Sequence, residues 1–415
     1  MKFVMRTNLL AICLCFQLLV SAGAEDWPQF RGADTTSSTT IDSLPIKWSI
    51  ETGAGIAWTA DLPGTGVSTP IVVDGRVIVT AASGADNDRL HVIAFDHTSG
   101  KQLWQRQTWA TGRTQCYSTS SVAAGTPASD GQRVFALYSS NDLVAYDLDG
   151  NLLWMRALTQ QHPKLGNDIG MASSPIFVPT EAGGAVIAQC ESKTASFLAG
   201  FDPQTGATIW EVDRPEESNW TSPIPIGSAV LAQDRSGLTL YSAADGKPIW
   251  QQSADCESIC SPTLVGKKLL IPSKGVLALS LGDGSPEKLW AASRVKPSSP
   301  SVAVGGEQLY AIGRGGVMTA ANLESGEPVW KERLGGTFWA TPLVTPSRIY
   351  CANQKGKVFV VSPADGKVLA ENDMGTALYG SPIAAGGAMF LRSNEKLWKI
   401  GGVEQAFNHT PRVSH

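Results

Sequence analysis

The sequence predicts an all-β chain folded as an eight-bladed β-propeller of four-stranded blades, and three observations predict it. A phrase of apolar alternation, polar glycine turn and closing tryptophan recurs along the chain, seven times in all. A small-residue pair, usually Ser-Pro, opens an apolar strand eight times. No apolar run of helical period and length occurs beyond the N-terminus, so the repeating unit is built of strands.

The first phrase reads AFDHTSGKQLW at 94–104. It returns as AYDLDGNLLW (145–154), GFDPQTGATIW (200–210), LYSAADGKPIW (240–250), ALSLGDGSPEKLW (278–290), AANLESGEPVW (320–330) and VVSPADGKVLA (360–370). Trp210, Trp250, Trp290 and Trp330 are spaced 40 residues apart. The second phrase stands at Thr69-Pro70, Ser120-Ser121, Ser174-Pro175, Ser222-Pro223, Ser261-Pro262, Ser299-Pro300, Thr341-Pro342 and Ser381-Pro382. One unit, 222–250, splits into SPIPIG, SAVLAQ, GLTLYSA and KPIW, four short strands bounded by Gly, Asp and Ser. Period-two patterning between turn residues is the strand signature, and the turn glycine supplies a positive φ.

Eight first strands need eight fourth strands, but the last unit (381–402) ends after its third. The segment Gly55-Ile56-Ala57-Trp58-Thr59-Ala60 has the pattern of a fourth strand and no first strand of its own. It is expected to complete the last blade, leaving no open edge. Trp58, Trp104, Trp154, Trp210, Trp250, Trp290 and Trp330, one per blade, read as packing residues that stack one blade on the next.

Residues 1–24 read as a secretory signal peptide: Lys2 and Arg6, an apolar core from Leu9 to Val20, then Ala22-Gly23-Ala24. That core is too short to span a bilayer, and no other segment is long enough. No cysteine stands at the expected cleavage site, so no lipid anchor is expected. Residues 25–54 read as an N-terminal segment and linker, 55–402 as the propeller, and 403–415 as a polar tail. The formal charge is −4 for the whole chain. A mildly acidic exported protein is a poor nucleic-acid binder. Beyond the signal, Cys116, Cys190, Cys256, Cys260 and Cys351 remain, an odd number. Cys256 and Cys260 are near enough in sequence to form a disulfide; the other reading is that all five are small buried apolar residues. Five histidines and no Cys-x-x-Cys offer no zinc set.

The motif Ala94-x-Asp96-x-x-x-Gly100-Lys101-x-x-Trp104 resembles the tryptophan-docking repeat of pyrroloquinoline quinone (PQQ) propellers, over residues 55–402. Ser242 and Asn322 replace the motif's Asp, and Ala370 replaces its Trp. The opening Asp26-Trp27-Pro28-Gln29-Phe30-Arg31-Gly32 is similar to the start of exported PQQ-like repeat proteins of planctomycete-type bacteria. By architecture the chain resembles the BamB-type scaffolds of outer-membrane β-barrel assembly. The resemblance implies two functions. One is a non-catalytic scaffold of the cell envelope, periplasmic, peripheral to the outer membrane or secreted. Its partner would be an envelope or outer-membrane protein with an acidic segment, and the chain would be a monomer within a complex. The other is a quinoprotein dehydrogenase holding PQQ and Ca²⁺. Against the second stand the missing Cys-Cys pair, the short blades and the lack of a carboxylate cluster. Asp96, Asp147 and Asp202 read as turn residues that bond their own backbone. The sequence reading therefore assigns no catalytic, cofactor or metal residue.

In a propeller the fourth-to-first connections and the second-to-third turns share a face. The second-to-third turns of blades 4 to 8 carry Arg235, Lys274, Arg314, Lys355 and Arg392, an expected arc of positive potential. Just before the Ser-Pro step stand Tyr117, Trp220, Trp339 (with Phe338) and Tyr379. They are either recognition residues or packing that plugs the channel. The bland reading of the cations is ordinary solvated turns. Two connections on this face are long and add Arg113, His162 and Lys164; His162 reads as a loop residue rather than a base.

Overall fold

The computed structural model describes residues 26–166, 169–282 and 284–402, so the expected signal peptide and polar tail lie outside the described residues. Eight four-stranded antiparallel sheets are present. Seven use consecutive strands; blade 1, for instance, runs Ile71–Val73, Arg76–Ser83, Arg89–Asp96 and Gln102–Trp109. The eighth joins Ile383–Ala385, Ala388–Arg392 and Lys396–Gly401 to Ile56–Asp61. The expected closure is thus present: Thr59 pairs with Trp398, and Gly401 N–H donates to Gly55 O at 2.9 Å.

The repeated phrase is a docking joint. The indole Nε1–H of Trp58 donates to His97 O at 3.1 Å, Trp104 to Leu148 O at 2.8 Å, and Trp154 to Pro203 O at 3.1 Å. Trp210 reaches Ala243 O and Trp330 reaches Pro363 O, each at 2.8 Å. Each of these carbonyls lies in the turn of the following blade. The glycine of that turn lies flat against the ring: a Cβ on Gly246 would sit 2.7 Å from Trp210, and φ there is +69°. The glycine therefore answers two demands, a left-handed turn and close approach of an aromatic face. The Asp of the phrase closes the turn. Asp96 Oδ1 accepts from Ser99 N at 2.7 Å and Ser99 Oγ at 2.6 Å, and these bonds, the hydroxyl first, hold its pKa below the ordinary value. Asn322 Oδ1 does the same for Glu324 N and Ser325 N at 2.9 Å, so the substitution keeps the geometry without the charge.

Two departures have physical reasons. Blade 8 has no hairpin between its third and fourth strands, because the two chain ends meet there; no glycine turn faces Ala370, and no Trp is needed. Trp48 joins the same apolar cluster as Ala370, and its Nε1–H points at Met374 Sδ at 3.1 Å. Blade 5 has a longer turn, and neither Gly282 nor Gly284 has a neighbour at its Cβ position, so half-buried Trp250 lacks a glycine platform.

The small-residue pairs form a second repeating joint around the axis. Thr69 N–H donates to Thr126 Oγ1 at 3.0 Å, Thr126 N–H to Ser174 Oγ at 3.1 Å, and Ser174 N–H to Ser222 Oγ at 2.9 Å. The chain of bonds continues through Ser261, Ser301, Thr341 and Ser381 and returns to Thr69 Oγ1 at 3.3 Å. The eight blades are thereby tied in one closed cycle. Two expected members are corrected. Blade 2 uses Thr126-Pro127 rather than Ser120-Ser121, and blade 6 uses Ser301 rather than Ser299. In each case the inner strand starts later, at Ala128 and Ala303.

The expected linker is also corrected: it is packed structure. Trp27 exchanges backbone bonds with Val72, Pro28 O accepts from Ser129 N, Thr36 O from Val304 N, and Ser37 O from Val344 N. All four partners lie three residues past the hydroxyl ring, so the segment crosses the axial opening beneath it. Arg31, buried, donates to Thr263 Oγ1 at 2.7 Å and Pro262 O at 2.6 Å. Polar composition did not make a linker because the hydroxyls and amides found partners on the inner strands. All five cysteines are free thiols, and four are buried.

Candidate binding face and central well

Above the hydroxyl ring the axial opening widens into a well of about 460 Å³. All eight ring residues line it, with Phe30 of the crossing segment at the closed end. Tyr117, Trp220, Trp339 and Tyr379 also line it, together with Ile169 and Ile259. The fold therefore gathers four aromatics that are spread over more than 260 residues of sequence. Tyr117 is 58% exposed and Trp339 38% exposed, which places both at the mouth. Phe338, expected beside Trp339, turns inward instead and packs against Phe359, their centroids 6.2 Å apart.

Trp220 is fixed by a buried ionic network that the sequence reading missed. Its Nε1–H donates to Gly170 O at 2.9 Å. The preceding Asn219 donates to Glu191 Oε2 and to Gln233 O, each at 2.6 Å. Glu191 in turn pairs with Arg214 at 2.8 Å, and Arg214 with Asp234 at 3.1 Å. Burial pushes the Glu191 carboxyl upward in pKa, opposed by the guanidinium of Arg214. These polar residues come from the ends of two strands, Ala185–Glu191 and Ala229–Asp234, and from the one connection 214–223, and only their burial reveals the network.

Four of the five predicted cations are exposed at their turns: Arg235, Lys274, Arg314 and Lys355. Arg235 lies 3.7 Å from Glu217 and Lys274 2.9 Å from Asp255. Arg314 and Lys355 have no carboxylate at ion-pair distance among the described residues. Arg392 is corrected: it is fully buried and belongs to no surface arc. Its guanidinium crosses the seam into blade 1, donating to Thr80 O at 2.6 Å and Ser68 Oγ at 3.0 Å, and burial lowers its pKa to about 9. The arc thus spans blades 4 to 7. Lys274 and Arg314 share a groove of about 820 Å³ with Arg294, Lys296 and Lys331, three cations the turn pattern could not flag because they lie off the turns. Arg113, Lys164 and Arg235 line a second groove beside Trp220, with Glu216 and Glu217. His162 stacks on Phe197 at 4.2 Å and meets Glu211 at 3.1 Å, as a packed loop residue does.

PQQ with Ca²⁺ would need acidic and cationic partners in this well. PQQ is a polycarboxylate, and Ca²⁺ takes six to eight oxygen ligands, carboxylates among them. Among the described residues the lining contains no charged side chain. Among the described residues no group of three or more His, Cys, Asp or Glu is placed to hold a metal. Asp96, Asp147 and Asp202 are occupied by their own turns. The described residues do not fit the group.

A family model described as outer membrane protein assembly factor BamB matches residues 22–193, 194–286 and 273–369. The BamB of Bordetella pertussis is 21% identical over 399 residues, covering 91% of this chain and 90% of that protein. The crystal structure of BamB from Moraxella catarrhalis superposes with a TM-score of 0.62 at 15% identity, over 87% of this chain and 99% of that one. Quinohemoprotein alcohol dehydrogenase from Comamonas testosteroni superposes with a TM-score of 0.69 at 14% identity, over 90% and 80%. At these identities the structural likenesses speak to the fold.

Proposed function

From the chain's membership of the family described as outer membrane protein assembly factor BamB, we propose that it is a non-catalytic, protein-binding scaffold of the cell envelope that serves outer-membrane protein assembly. Its place is the periplasmic side of the outer membrane, reached by export. Among the described residues no helix is long and apolar enough to cross a membrane. The observation that supports a binding role is convergence. Four aromatics meet at the mouth of one well, and four exposed cations stand on turns of the same face. Aromatic anchors beside cations are the composition of protein-binding hot spots. In an acidic chain the cations of blades 4 to 7 favour a partner segment rich in carboxylates.

The test is photo-crosslinking in cells from Tyr117 and Lys355, with Asp245 on the opposite face as control. Adducts with outer-membrane assembly proteins are expected from the first two positions. Reversing Arg235, Lys274, Arg314 and Lys355 to Glu should remove them while leaving the unfolding midpoint unchanged. Equal adducts from Asp245, or adducts that survive the reversal, would overturn the face assignment.

A further inference from the structure

The chemistry of the well itself specifies a ligand class that the scaffold role does not require. Each ring hydroxyl oxygen accepts one backbone N–H from the neighbouring blade. Among the described residues none of the eight hydroxyls donates to a protein acceptor. A hydroxyl has one proton and two lone pairs. Every ring member therefore keeps one donor and one lone pair for whatever fills the well. The eight residues are all at least nine-tenths buried, so bulk solvent does not reach them from the side.

Three ligand classes can be compared against that lining. A purely apolar ligand would cover eight O–H donors without satisfying them, and buried unpaired donors are costly. An ionised ligand would enter a cavity whose described lining carries no charged side chain, and an unpaired charge costs more still. A neutral polyhydroxylated ligand meets both constraints. Its hydroxyls exchange donor for acceptor with the ring, and its C–H faces lie on Tyr117, Trp220, Trp339 and Tyr379. The volume of about 460 Å³ falls within the range of about 300–1,000 Å³ usual for small-molecule sites.

We propose that the central well is a binding site for a neutral sugar, a mono- or disaccharide, held by the hydroxyl ring below and the aromatic mouth above. The site shares its aromatic mouth with the partner face but not the cations: the sugar enters along the axis, whereas the cations stand on the rim. Neutrality of the described lining, rather than its aromatic content alone, separates this reading from a charged cofactor.

The experiment is calorimetry and tryptophan fluorescence on the mature chain with glucose, maltose and N-acetylglucosamine, and with glucuronate as the charged analogue. Saturable binding of a neutral sugar near one per chain is expected, with glucuronate weaker by about tenfold or more. Trp339→Ala and Tyr117→Ala should each weaken binding by about tenfold. Both residues are at the exposed mouth, so the unfolding midpoint should hold. Ring variants are avoided because they join blades. Failure of all three neutral sugars to saturate, equal affinity for glucuronate, or undiminished binding by Trp339→Ala would overturn the proposal. Crosslinking from Lys355 would stand in any of these cases, so the two readings fail separately.

Discussion

Truncating Trp210 tests whether the docking joint, rather than the tryptophan as such, holds neighbouring blades together. The ring is 7% exposed, donates to Ala243 O at 2.8 Å and lies on Gly246. Removing a buried Trp side chain costs about 3–5 kcal/mol, of which the indole bond contributes about 1 kcal/mol. Trp250 ends the same phrase one blade later but is half-buried and, among the described residues, has neither platform nor carbonyl partner; its truncation should cost about 2 kcal/mol or less. Urea unfolding of Trp210→Ala and Trp250→Ala, compared at constant m, measures the difference. Gly246→Ala sharpens it. In the native background the added Cβ strikes the Trp210 ring and strains a positive φ. In the Trp210→Ala background only the strain remains, about 1 kcal/mol. Equal losses for the two tryptophans, or strictly additive effects of Trp210→Ala and Gly246→Ala, would refute the joint as the source of the energy.

Other outcomes follow from other contacts. Removing Arg31 strands Pro262 O and takes one partner from Thr263 Oγ1, which still donates to Val302 O, and Arg31→Ala should lower stability by about 2 kcal/mol in the same urea assay. Hydrogen exchange should then quicken at Val72 and Val344, where the crossing segment is anchored. The Asp42 carboxylate grips Ser347 and Thr345, and the Ser347 hydroxyl foremost holds its pKa below the usual value, as Ser99 does for Asp96. For a carboxylate with a depressed folded pKa, the stabilisation is present above the unfolded value of about 4 and is lost as pH falls through the folded one. Melting temperatures from pH 6 to pH 3 should therefore drop at the acid end, and less steeply in Asp42→Ala. The five thiols should all titrate after denaturation, with only Cys116 accessible beforehand, and burial keeps the Cys256 and Cys260 thiols protonated, with pKa values of about 12. A reductant-dependent melting temperature would contradict free Cys256 and Cys260.

What could be read from the sequence was what repeats. The blade, its count and the closing strand 56–61 follow from periodicity, because the same joint is written out many times. Three of the four aromatics were readable for the same reason, since Trp220, Trp339 and Tyr379 each stand two residues before a ring hydroxyl; Tyr117 stands nine before Thr126 and was found only through its nearness to Ser120-Ser121. Arg392 shows the limit. By position it matches Arg314 and Lys355, but its blade is the one that meets the N-terminal strand, and the guanidinium is drawn into the seam. Ser120-Ser121 and Ser299 misled because serine-rich stretches offer several equivalent starts, and only the hydrogen-bonded cycle distinguishes them. The plug at 26–44 could not be read from composition at all. A polar segment is a linker or a lid according to whether acceptors await it.

The seam of blade 8 also sets an order of events during biogenesis. Arg31 bonds a carbonyl 231 residues away and Tyr350 a carbonyl 306 residues away. A chain delivered through an export channel presents its first folded-state residues early and their partners last. The strand 56–61 must therefore wait, unpaired, until the final blade emerges, and the crossing segment, which can join Val72 early, gains its last partners only with blades 5 to 7. Contacts of such sequence separation form slowly, and unpaired strands invite association with other chains. A truncation after blade 7 should then leave a chain that stays protease-sensitive at its N-terminal strand, however well its seven complete blades have formed.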